Sequence, residues 1–139
     1  MEKIDKLFQN NSAADSLVKE QLDEANNLIV RVGLELTSSA SKQLPLFERI
    51  AAYGSLPISD RYTLIPAFTL CQKYRATLRI LLDDLAMLEE MTANDLLHKN
   101  ILETKAICVN LLSSITEMCI YLESIINQQE IPETVSIHF

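Results

Sequence analysis

Between Ala67 and Leu88 the residues Ala67, Cys71, Tyr74, Leu78, Leu81, Leu85 and Leu88 recur at steps of 4, 3, 4, 3, 4 and 3. That is the seam of an amphipathic α-helix, and all seven of its positions accept burial. Pro66 stands just ahead of the seam. Inside a helix it would remove one backbone bond and collide with the preceding turn, so the spacing predicts either a kink near Tyr62 or a true helix start near Ile65. Upstream, Leu56-Pro57-Ile58 is expected to be extended, with Ser59 and Asp60 offering a cap.

Two further segments carry the same periodicity. Val18, Leu22, Ala25, Ile29, Val32 and Leu36 form a stripe along a helix from about Ala14 to Ser38, with Glu20, Asp23, Glu24 and Arg31 off it. Ile4, Leu7 and Phe8 predict a shorter helical piece before it. Asn10-Asn11-Ser12 is expected to separate the two, because such side chains compete for backbone hydrogen bonds. Ser38-Ser39-Ala40-Ser41 reads as a loop, followed by a short helix with Pro45 in its first turn, Leu46, Phe47, Ile50 and Ala51 on its buried face, and Gly54 as its stop. Thr92 and Asn94 mark a turn and a cap. From about Ala93 to Asn127 a last helix carries Ile101, Thr104, Cys108, Leu111, Ile115, Met118, Leu122 and Ile125 on one seam.

Composition supports a packed helical domain. Two glycines and four prolines in 139 residues supply little turn chemistry for hairpins and too few glycines for a phosphate-cradling loop. With 48% apolar and 22% charged residues the chain lies far from the composition of disorder. At this mass about 68% of the unfolded surface should be buried on folding, enough for a core without a disulfide or metal staple. The three cysteines, Cys71, Cys108 and Cys119, sit among apolar residues and are expected to be buried and reduced. The expected fold is all-α: a four-helix up-and-down bundle with three long helices and one short, a single domain over residues 1–130, and an extended tail over 131–139.

No catalytic constellation emerges. His98 and His138 are far apart, and neither belongs to an i, i+4 pair that clamps zinc. Asp95 and His98 have i, i+3 spacing, but a bundle diiron site needs that motif from two helices. Cysteine spacings of 37 and 11 residues fit no zinc or redox motif. Ser113 and Ser114 lack a nearby histidine and a tight nucleophile turn. The chain is expected to be non-enzymatic, without cofactor or metal.

Charge narrows the partners. Twelve Lys and Arg against nineteen Asp and Glu give a net charge of −7, which repels phosphate backbones and anionic lipid. From Ala106 to Leu122 the one charged residue is Glu117. Asn110, Ser113, Ser114 and Thr116 nonetheless make the segment too polar for a membrane span. Asn110, Ser113, Glu117 and Ser124 lie at helical spacing and form a candidate polar stripe. The start of the chain lacks a secretory signal, so a cytoplasmic location is expected.

The third segment divides its charge: Arg61, Lys73, Arg75 and Arg79 come first, then Asp83, Asp84, Glu89 and Glu90. This order opposes the helix macrodipole, so local helix stability does not explain it. An antiparallel copy would bring the basic half against the acidic half; a solvated face pairing with neighbouring helices is the plainer account. Tyr74, Arg75, Arg79, Asp83 and Asp84 are the candidate interface. After Pro132 the period changes, and Val135, Ile137 and Phe139 alternate as in a strand, a candidate docking tail.

Leu56-Pro57-Ile58-Ser59-Asp60, then Tyr62 to Leu88 with Cys71-Gln72-Lys73-Tyr74-Arg75 at its centre, then His98 through Leu122, resembles the small terminase subunit of tailed phages. The resemblance implies a ring oligomer that recognises viral DNA and delivers it to a packaging motor, with Arg61, Lys73, Arg75 and Arg79 as the contacts to test. The residues themselves point first to a protein that binds another protein or itself, as a homodimer or small oligomer.

Overall fold

The computed structural model describes residues 2–128, with side chains from residue 13 onward. Its regular structure is entirely α-helical: α1 runs Glu2–Tyr53, α2 is the short Ile58–Tyr62, α3 is Ile65–Met91 and α4 is Asp95–Ile126. The tail positions Val135, Ile137 and Phe139 lie outside the described residues.

Three long helices form the bundle, and the separate short helix expected around Pro45 is the end of α1. Neither Asn10–Ser12 nor Ser38–Ser41 interrupts α1. The physical reason at the second site is that the seam carries through it: Leu36, Ser39, Gln43, Leu46 and Ile50 keep the phase of Val18 to Val32, and all five are half-buried. Hydroxyl side chains can also bond back within a helix rather than end it, as Thr37 Oγ1 does to the Gly33 carbonyl at 2.8 Å. Pro45 lies inside α1, on its exposed side, and Ala51 is exposed rather than buried. Gly54 does end the helix. Its φ of +79° is the left-handed conformation that favours glycine, and its N–H donates to the Ile50 carbonyl at 2.7 Å.

Of the two outcomes expected at Pro66, the helix start is found. α3 begins at Ile65, so the missing N–H of Pro66 falls where no intrahelical partner exists. Ser59 and Asp60 do not cap it; they lie within α2, which starts after Pro57. Asn94 is a true cap, its side chain accepting from the Leu97 N–H at 3.1 Å.

The three residues between α3 and α4 make these helices antiparallel neighbours. Glu89 lies opposite Lys105 and His98 near the turn, and Cys108 Sγ faces the Leu78 carbonyl midway. α1 runs parallel to α4: Thr92 Oγ1 donates to Asp15 Oδ1 at 2.9 Å, Thr104 Oγ1 bonds Asn26 Oδ1 at 3.0 Å, and the Phe47 and Tyr121 rings meet at 5.7 Å. One core runs the length of the bundle. Val18, Val32, Leu64, Leu78, Leu85, Ile101, Cys108 and Leu122 are fully enclosed in it, and all seven seam positions of α3 are buried. The three cysteines are free and buried, and burial pushes each thiol upward.

Candidate functional site

Tyr74 belongs to the α3 seam and is buried, so the surface it was expected to share with Arg75, Arg79, Asp83 and Asp84 excludes it. Arg75 is half-buried, its Nε without a hydrogen-bond partner. Arg79, Asp83 and Asp84 are exposed, together with Lys73 and Glu90. Among the described residues the ion pairs are Arg49–Asp60, His98–Glu89 and Lys105–Glu89, and none uses these five charges. Glu89 is different: the hydrogen bond from Lys105 holds its carboxyl below the usual range.

Three apolar side chains missing from the expected interface lie among those charges. Ile80 is 62% exposed, Met87 63% and Met91 46%. The sequence does carry a signal for them. Lys73, Thr77, Ile80, Asp84, Met87 and Met91 step by 4, 3, 4, 3 and 4, a second stripe parallel to the seam that mixes polar and apolar residues. Beside it α1 and α3 form a groove where Gln21, Glu24 and Leu28 face Leu81, Asp84, Met87 and Met91. Its walls hold two carboxylates, Glu24 and Asp84, and no basic side chain.

Arg61 is spent on structure. It is buried, and its Nη1 donates to the Gln128 carbonyl just beyond α4, placing a cation where the macrodipole of that helix is negative. Of the four basic residues named as DNA contacts, Lys73 and Arg79 are the exposed ones.

A second concavity lies between α1 and α4. It has a volume of about 250 Å³, with Gly33, Leu36, Ala40 and Phe47 on one side and Leu111, Ser114 and Met118 on the other, over a floor of Ala67, Cys71 and Ile115. It opens where the α1 seam carries Ser39 and Gln43 instead of large apolar residues. Nothing charged lines it, which suits an apolar side chain and offers no group for acid–base chemistry.

The polar stripe of Asn110, Ser113, Glu117 and Ser124 is exposed along its whole length, so the Glu117 carboxylate is solvated. Ser124 Oγ donates to the Tyr121 carbonyl within its own helix at 2.7 Å. The same outward side shows Leu102, Val109 and Ile120. By length and composition α4 is long and apolar enough to cross a membrane, and 22% of its most apolar window is buried in the bundle. The buried polar contact of α4 is Thr104 with Asn26, which the seam reading placed correctly for Thr104 without finding its partner. Among the described residues no three of His, Cys, Asp and Glu gather closely enough to hold a metal ion.

No family model, curated protein or solved structure matches this chain.

Proposed function

We propose that this is a non-enzymatic helical-bundle protein that acts through protein–protein contact and self-associates as a homodimer or small oligomer, in the cytoplasm. The observation that carries the reading is the outward side of α3. Lys73, Arg79, Asp83, Asp84 and Glu90 find no ion-pair partner within the chain and surround the exposed Ile80, Met87 and Met91. Pairing with a neighbouring helix accounts for Glu89, which meets Lys105 and His98 of α4, but among the described residues it does not account for these five charges. A second copy supplies both the missing counter-charges and a cover for the apolar side chains. Cytoplasmic rather than membrane placement is supported by the polar stripe on the outward side of α4.

The test is solution mass by light scattering at low and high salt. The expected result is a dimer or small oligomer at low salt that weakens as salt screens the charges. A monomer under both conditions rejects the reading. The alternative is a terminase-like subunit that binds DNA through the exposed Lys73 and Arg79. It predicts a salt-dependent mobility shift of labelled DNA, and a flat titration at low salt removes it.

A further inference from the structure

Self-association leaves open which way two copies meet, and the groove beside α3 selects one arrangement. Lys73, Ile80 and Met87 recur every seven residues and share one line along the helix, with Ala76, Asp83 and Glu90 on the adjacent line. A parallel pairing of two α3 helices in register would set Lys73 against Lys73 and Asp83 against Asp83. An antiparallel pairing sets unlike ends together.

We propose that two copies of this chain pair through antiparallel α3 helices about a two-fold axis at Ile80, each copy placing Lys73 in the Glu24–Asp84 groove of the other. The inference rests on the self-association reading and specifies its surface. With Ile80 on the axis, a residue seven positions before it lies level with one seven positions after it, so Lys73 faces the second copy's Met87. Asp84 is three residues from that level, about 4.5 Å along the axis and within reach of a lysine side chain. The methylene stem of Lys73 lies over Met87 while its ammonium reaches the carboxylates. Arg79 comes level with the second copy's Leu81, two residues, about 3 Å, from Asp83. Ala76, small and exposed, gives the second copy's Asp83–Met87 turn room to approach. The two-fold makes every such contact twice, as an isologous interface requires.

Three features independent of one another converge on this occupant. The groove has acids on both walls and no base. The bases that complement it, Lys73 and Arg79, have no ion-pair partner among the described residues, the Lys73 ammonium lying 5.6 Å from the ring centre of the adjacent Tyr74. The apolar residues on the line between them are about 60% exposed, 62% at Ile80 and 63% at Met87.

The full chain carrying Ile80→Cys, treated with oxidised glutathione and run without reductant, tests the axis. A covalent dimer is expected, whereas Glu103→Cys on the exposed side of α4 gives none. The native thiols are buried and contribute little background. In parallel, Lys73→Glu is expected to weaken dimerisation about tenfold. The double variant Lys73→Glu/Asp84→Lys, which restores opposite signs across the axis, recovers it. All these positions are exposed, and unchanged melting curves establish that the variants fold. An oligomer that neither cross-links at position 80 nor responds to Lys73→Glu overturns this arrangement and leaves self-association standing. A monomer at every salt and protein concentration overturns both.

Discussion

Arg61 shows how far a residue's role can depart from its type. As a basic residue at the start of a charged segment it reads as a surface contact; in the fold it is buried and closes the C-terminal end of α4 through the Gln128 carbonyl. Nothing local signals this, because the carbonyl it serves is 67 positions away. Replacing it by alanine removes a charge-assisted hydrogen bond and a packed stem, and should cost about 2 kcal/mol. Arg61→Met keeps the stem and removes the unpartnered Nε as well, so it should cost less. Urea denaturation of the two variants checks the order. Tyr74 makes the opposite point: its place in the seam was legible at once, and the same spacing that marked it for burial removes it from any outer surface.

At the scale of elements, the heptad seams of α3 and α4 were readable because each is unbroken and bounded by Pro66, Thr92 or Asn94. The sequence alone divides α1 into three pieces, because the Asn and Ser side chains of Asn10–Ser12 and Ser38–Ser41 carry the weight of breakers. Propensity is a weak prior against tertiary packing, and the seam running on through Ser39 and Gln43 outweighs it. Those two polar seam residues are also why α1 and α4 leave a cleft between them. Ser39→Leu should therefore fill part of the cleft and raise stability by about 1 kcal/mol, read as a higher urea midpoint with an unchanged slope. A loss of stability would mean that the two helices are already as close as their backbones allow. Ile80 and Met87 are less legible because they stand off the seam, exposed among charged residues.

For the whole molecule, the all-α fold class is accessible from spacing alone, whereas the proposed surface needs three dimensions. Glu24 and Asp84 lie on different helices, and only packing brings them to one groove. The core carries its own pH dependence. Burial, with Cys119 adding to it, pushes the Cys71 thiol up from 9.0 to about 11, and burial raises Cys108 and Cys119 in the same direction. A thiol that ionises more readily unfolded than folded leaves stability intact below pH 9 and drains it as pH climbs toward 11. Urea midpoints should fall across that window, and Cys71→Ala should flatten the fall even though its midpoint starts lower.

The parallel pairing of α1 with α4 has a consequence for synthesis. The seam of α1 leaves the ribosome before those of α3 and α4, and Asn26 must wait for Thr104, 78 residues later in the chain. At about 5–20 residues per second that is an interval of roughly 4–16 s in which α3 is the one packing neighbour to emerge and the side of α1 that meets α4 stays uncovered. The closely linked α3–α4 hairpin, by contrast, can close as soon as it emerges. During that interval the nascent chain depends on chaperones, or on another nascent copy, more than the finished bundle ever does.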